Sequence, residues 1–440
     1  QTQQVLMFPW LALGHVNPFL RIAKQLADRG FIIYLVNTMI NLELAKKRIT
    51  NKYSNSIHLV TYSLPELPEL PPHLHTTNGL PPHLNGTLHK ALKMSRPTFS
   101  KQVQNLKPDL VLYDFLIPWA EKVALDQGVP GVPLLTFGAA LFAYFFNHLK
   151  RPGNEFPFPA IRLSKRELDK LYEMFRTEPT ELDFLVPANA AIMLMCTSRV
   201  IEAKYLDYCQ KLTNVKVVPV GAPFRDPLTL DLYDPELIRW LDTKPPNSVV
   251  YVSFGSEYFL SREQMEEVAF GLELSGVNFI WVARFPKGEE QNLEDVLPKG
   301  FLERVGDRGR VLDHLVPQAC ILNHKSTGGF ISHCGWNSVM ESIDFGVPII
   351  AMPMTWDQPI NARLLVELGV AVEIRRDEDG RIHRDEIAQV LKDVINGATG
   401  EILRRNVRDI ALRLRARREE EMTAAALELL ALCRNLRALK

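Results

Sequence analysis

Residues 332–338, SHCGWNS, set a histidine, two serines, an asparagine and a glycine between an apolar run and a helical pattern. In GGFISHCGWNS the run reads as a strand, Gly335 as the turn, and Trp336, Asn337 and Ser338 as the first helical residues. Backbone N–H groups and the positive end of a helix would then face the strand's carboxyl edge, where phosphate is the natural guest. A turn followed by a helix start uses the same residue types with no ligand, so the local pattern leaves both readings open. Two neighbours share the ambiguity. Ser338 and Glu341 have the spacing of a capping box, and Asp357 in WDQP fits an N-cap followed by a first-turn proline. No G-x-x-x-x-G-K-S/T loop and no G-x-G-x-x-G fingerprint occurs, which argues against a nucleotide triphosphatase or a dinucleotide dehydrogenase.

In the first half, FPWLALGHVNP repeats the strand, loop and helix order with His15 at the strand's carboxyl end, and Asp114 closes the strand DLVLYD. Ligands gather at that edge in open α/β sheets. If the two side chains meet there, the carboxylate fixes the ring tautomer and leaves the other nitrogen as a general base.

The elements that must carry these residues are legible from end to end. VLMFPW, FIIYLVN, IHLVTYSL, DLVLYD and GVPLLTF in the first half, then SVVYVSFG, NFIWVAR, RGRVLDHL, GGFISHCG and VPIIAMPM, alternate with helical patterns. Continuous apolar strands separated by helices predict parallel sheets covered on both faces, an α/β protein. Phe19, Ile22, Ala23 and Leu26 have the spacing of one helix face, with Pro18 in a first-turn position and Gly30 as a stop. Between 222 and 248 the pattern breaks into a stretch with five prolines and one short helical segment, the best linker candidate.

A second Pro-rich segment, 64–84, reads as a long surface loop; its His73, His75 and His83 lack regular metal-ligand spacing or a carboxylate partner. Phe142, Tyr144, Phe145 and Phe146 have a spacing that favours core over a ligand wall. The Arg-rich C-terminal stretch, interrupted by Glu419, Glu420 and Glu421, reads as a solvated structural helix.

With 51 basic and 51 acidic residues in 440, no global field steers the chain toward nucleic acid or an anionic membrane. Five scattered cysteines without C-x-x-C spacing read as reduced thiols. The opening residues run into an apolar strand without a basic n-region, and no stretch has the roughly 18 apolar residues of a membrane span. A cytoplasmic location is expected.

The 44 residues from Leu315 to Gln358, LVPQACILNHKSTGGFISHCGWNSVMESIDFGVPIIAMPMTWDQ, resemble the signature box of the plant family 1 UDP-glycosyltransferases almost position by position. The G-H-x-x-P start, the linker and the helical tail extend the resemblance over essentially the whole chain, and its texture is similar to enzymes that add branching sugars to triterpenoid glycosides such as mogrosides. The resemblance implies a GT-B fold, two Rossmann-like parallel-sheet domains facing a central cleft. It divides the chain into an acceptor domain at 1–225, a linker at 226–248, a UDP-sugar domain at 249–420 and a C-terminal helix at 421–440 that packs back on the first domain.

It further implies that Gln318 and the backbone of Val316 meet the uracil and that Glu341 takes the ribose hydroxyls. His333, Gly335, Trp336, Asn337 and Ser338 would hold the diphosphate with Ser256, Asp357 and Gln358 the sugar, and Thr136 its 6-hydroxyl. Where the family usually has a tryptophan stacked on uracil, this chain has Leu315, which forfeits on the order of 0.5 to 1.5 kcal/mol of aromatic stacking.

The implied reaction is inverting transfer of glucose from UDP-glucose, a co-substrate, to a triterpenoid glycoside, with His15 as general base and Asp114 behind it. No separate cofactor or metal is implied, since the box holds no Asp-x-Asp motif. The expected partners are a small sugar donor and an apolar or glycosylated acceptor, with the chain a monomer. Glucosylation of a flavonoid or terpenoid aglycone, and a UDP-sugar-binding protein without turnover, are the alternatives.

Overall fold

The computed structural model describes residues 2–175, 190–221, 234–255, 258–285, 293–314 and 316–438. By internal contacts the chain divides into two units, Gln1–Phe156 with Phe175–Pro223 and Ala416–Lys440, and Pro157–Met174 with Phe224–Arg415. The first eight residues of the expected linker, 226 to 233, lie outside the described residues, and a short helix Pro235–Asp242 follows, capped by the Asp234 carboxylate.

The first unit is built on strands β1 Gln4–Phe8, β2 Ile32–Asn37, β3 Ile57–Thr61, β4 Leu110–Asp114, β5 Gly131–Leu135, β6 Ile192–Met195 and β7 Lys216–Pro219. They pair in parallel in the order β3-β2-β1-β4-β5-β6-β7. The second unit carries β8 Val249–Ser253, β9 Asn278–Val282, β10 Gly309–Leu312, β11 Thr327–Ser332, β12 Ile349–Ala351 and β13 Ala371–Glu373. Their order is β10-β9-β8-β11-β12-β13, again parallel. Both are doubly wound Rossmann-like sheets of the GT-B type. Each has its topological switch point beside its first strand, between β1 and β4 and between β8 and β11, where open α/β sheets bind ligands.

The apolar strand runs are buried because helices cover both faces. Val5, Met7, Ile33, Leu110 and Leu112 form one core with Phe19, Ile22 and Leu26, and Leu6, Phe8, Val111 and Tyr113 form the opposite one with Phe99 and Ala120. The first helix spans Leu13–Ala27, so Pro18 lies inside it rather than in its first turn. That earlier start places His15 in the first helical turn.

Three expectations change on contact with the fold. The segment 64–84 is the expected long loop with exposed turns, but it is anchored: Leu64, Leu70 and Leu80 are buried, and a polar network ties it to the ends of β1 and β2. Thr38 donates to the carbonyl of His75 at 2.8 Å, Thr76 donates to Asn41 at 2.8 Å, and the His75 ring meets the Leu70 carbonyl at 3.1 Å.

The C-terminal stretch is one helix, Ala398–Ala438, and its Glu421 is not solvated. That carboxylate accepts from the Ser198 hydroxyl at 2.9 Å and the Arg199 N–H at 2.8 Å, while Met422, Ala425, Ala426 and Leu429 pack into the core of the first unit. Third, the helix Lys165–Phe175 begins in a segment that groups with the second unit, where Glu167 pairs with Arg363 at 2.8 Å and Arg166 reaches the Asp379 carbonyl. Among the described residues no helix is long and apolar enough to cross a membrane.

Candidate active site

At the first switch point, Asp114 is the last residue of β4 and His15 stands in the helix that follows β1. Their side chains meet, with His15 Nδ1 at 2.8 Å from Asp114 Oδ2. The aspartate is fully buried, whereas the imidazole keeps 20% of its surface exposed. Three N–H groups converge on the carboxylate. Oδ2 also accepts from the backbone of Trp10 at 3.2 Å, and Oδ1 accepts from Leu116 at 3.1 Å. A carboxylate has no hydrogen to give, so Nδ1 carries the proton and Nε2 carries the basic lone pair.

Thr136, directly after β5, brings its hydroxyl oxygen to 3.2 Å from the same Nδ1. Phe115 lies nearly parallel to the imidazole with ring centroids 6.0 Å apart, and Phe137 meets Phe115 edge-on. Sequence reasoning missed Trp10, Phe115 and Phe137 here, although each follows closely on a strand whose carboxyl end was already of interest.

The second switch point gathers most of the signature box. His333 follows β11, Cys334 takes a left-handed φ of 68°, and Gly335 caps the helix Trp336–Asp344, whose start has no side-chain cap and no acid in its first turn. The His333 ring lies against two glycine backbones. A Cβ on Gly255 would come to 2.8 Å from Nε2, and one on Gly335 to 2.6 Å, so both positions need glycine for this ring to fit. Nδ1 of His333 is buried without a hydrogen-bond partner among the described residues. Burial pushes this imidazole down to about 4, so it is neutral near pH 7.

Next to it, Gln318 Nε2 donates to Glu341 Oε2 at 2.8 Å and approaches the Ser338 hydroxyl at 3.4 Å, while Tyr251 donates to Gln318 Oε1 at 3.3 Å. Ser338 is the third helical residue and Glu341 the sixth, so the capping-box reading fails: the helix begins three residues too early for Ser338 to be its N-cap. Glu341 is buried, and the Val316 carbonyl accepts from the Gln318 N–H at 2.8 Å.

Asp357 is the N-cap of the helix Gln358–Glu367 by position but makes no capping bond. Its carboxylate accepts from Asn361 Nδ2 at 2.7 Å, and the same amide donates to the Cys334 carbonyl at 2.9 Å, which ties the turn after β11 to the Asp357 turn. Gln358 Oε1 accepts from the backbones of Met354 and Thr355 at 2.9 and 3.0 Å, which points its Nε2 donors the other way. Ser256 and Leu315 lie outside the described residues.

Residues 169–410 match the family described as UDP-glucoronosyl and UDP-glucosyl transferase, and residues 2–223 match the glycosyltransferase N-terminal domain. The chain belongs to the UDP-glycosyltransferases. The enzyme is 50% identical over 429 residues to the beta-D-glucosyl crocetin beta-1,6-glucosyltransferase of Gardenia jasminoides, covering 96% of this chain and 97% of that one. It is 45% identical to mogroside IIIx synthase of Siraitia grosvenorii, covering 97% and 93%. Among solved structures, Phytolacca americana UGT2 complexed with UDP-2fluoro-glucose and pterostilbene superposes with a TM-score of 0.78 at 28% identity, over 98% of this chain and 100% of that one.

The depressed imidazole of this UDP-glycosyltransferase has a measurable consequence. An unfolded histidine takes its proton near pH 6.5 and the folded His333 only near 4. As pH falls through that window the unfolded state binds more protons, so stability is lost on the acid side. The partly accessible edge of the ring reduces the effect to on the order of 2 kcal/mol. Denaturant unfolding of wild type and His333→Gln between pH 7 and 4 should show the variant losing less stability on acidification by about that amount.

Proposed function

We propose that this enzyme transfers glucose, with inversion, from UDP-glucose to a hydroxyl on the sugar of an acceptor that is already glycosylated, a triterpenoid glycoside above all. His15 Nε2 takes the proton of that hydroxyl as its oxygen forms a bond to the anomeric carbon. The bond from that carbon to the diphosphate oxygen breaks on the opposite side, and an α-linked donor gives a β-linked product. The 2.8 Å contact of His15 with a buried Asp114 carries this reading, because it fixes the basic nitrogen and supports the imidazolium that forms.

In this reading the growing charge on the leaving UDP meets the uncapped helix start at Gly335, the neutral His333 and the Ser338 hydroxyl. The orphaned Nδ1 of His333 is a polar atom that a bound diphosphate would satisfy. Gln318 and Glu341 take the base and ribose, and Asp357 with Gln358 Nε2 the hydroxyls of glucose; Thr136, bonded to the His15 ring, would position the base as well as meet the sugar.

The acceptor class rests on the two relatives, one named for a glucosylated crocetin and the other for a mogroside. A panel of UDP-glucose, UDP-glucuronic acid and UDP-rhamnose against mogroside, glucosyl crocetin and the matching aglycones, read by mass spectrometry with and without chelator, tests it. The expected result is one added hexose on a glycoside from UDP-glucose, unchanged by chelator. Products from aglycones alone would sink the sugar-on-sugar reading.

A further inference from the structure

One aromatic side chain stands apart from the machinery described so far. Trp356 is 49% exposed and is the one exposed Trp, Tyr or Phe among the described residues. Its φ is 60°, in the left-handed region that a bulky residue enters only at a cost in strain, and such positions persist where the surroundings hold them and concentrate at functional sites. Here the surroundings are a braced turn. Gln358 Oε1 binds the N–H groups of Met354 and Thr355, the Gln358 N–H returns to the Thr355 carbonyl at 3.2 Å, and Asn361 holds Asp357. The ring is therefore projected from a fixed crown immediately before the two residues assigned to the hydroxyls of the donor glucose.

We propose that Trp356 is the platform on which the sugar ring of the acceptor glycoside stacks. The inference rests on the sugar-on-sugar reading above. Attack requires the acceptor hydroxyl to come within bonding distance of the donor's anomeric carbon, so the ring that bears it must lie beside the donor glucose. Gln358 is buried and Asp357 half-buried, whereas the indole beside them is exposed, so the polar pair is left for the donor hydroxyls and the indole offers an open apolar face next to them for a second ring. A pyranose presents C–H groups on its face, and a flat, exposed indole covers that apolar face while leaving the sugar's hydroxyls in water.

The test compares wild type, Trp356→Gly and Trp356→Phe on one glycosylated acceptor from the panel and on its aglycone, with UDP-glucose varied separately. Glycine accepts the left-handed backbone without strain, so Trp356→Gly should melt no lower than wild type. Its KM for the glycoside should rise on the order of tenfold, with kcat and the KM for UDP-glucose little changed, and Trp356→Phe should recover most of the loss. An unchanged KM for the glycoside in a wild type that glucosylates it would overturn the platform alone. A KM for UDP-glucose that rises in step with that of the glycoside would reassign the ring to the donor. A wild type that uses only aglycones removes both this inference and the reading beneath it.

Discussion

Replacing His15 with alanine should lower kcat for glucosyl transfer by about two to four orders of magnitude, the usual worth of a positioned general base. Two features make the loss specific to chemistry. The residues proposed to hold the nucleotide belong to the second unit, so UDP affinity measured by calorimetry should not move. The Asp114 carboxylate left behind still accepts from the backbones of Trp10 and Leu116, so it is not stranded, and the variant should fold. The assay is UDP release with a glycoside acceptor at saturating donor, with donor hydrolysis measured alongside. A variant that keeps a third of the wild-type rate would show that the base lies elsewhere.

What the sequence made legible follows from what each signal reports. Alternating apolar runs and helical periodicity report which face of an element is buried, and they located the strand end that Asp114 forms and those that His15 and His333 follow. Strand order is a different kind of fact. That β1 neighbours β4 and β8 neighbours β11 decides which strand ends share a switch point, and no local pattern encodes it. Glu421 shows the same limit: in a run of three acids it looks solvated, and only the packing of Met422 and Leu429 in the core of the first unit turns it inward to bind Ser198 and Arg199, 223 and 222 positions away.

The Ser338 and Glu341 spacing was ambiguous because a capping box depends on the phase of the helix start, which spacing alone does not fix. The polar network under residues 64–84, the pairing of Glu167 with Arg363 and the left-handed Trp356 were beyond a linear reading for a related reason. Each depends on contacts between segments or on one backbone angle.

Asp114 supports a sharper test than simple deletion, because three N–H donors surround its two oxygens unequally. Oδ2 serves His15 and Trp10, and Oδ1 serves Leu116 alone. In Asp114→Asn the amide oxygen should take the place of Oδ2, since that keeps two bonds and sacrifices one. His15 then retains its tautomer and loses only the negative charge that supports its protonated form. The loss of one charge-assisted bond, about 1.5 to 3 kcal/mol, corresponds to a fall in kcat of roughly 10- to 100-fold.

Asp114→Ala removes the tautomer lock as well and leaves the Trp10 and Leu116 N–H groups without an acceptor. Its kcat should fall by about another order of magnitude, with a stability loss of about 1 to 3 kcal/mol that the Asn variant largely escapes. Steady-state kinetics and urea unfolding of both variants separate the contributions. If the Asn variant were as slow as the Ala variant at full stability, the amide would have turned its nitrogen toward His15. If both kept wild-type rates, the aspartate would be a strand-end residue with no part in the proton transfer.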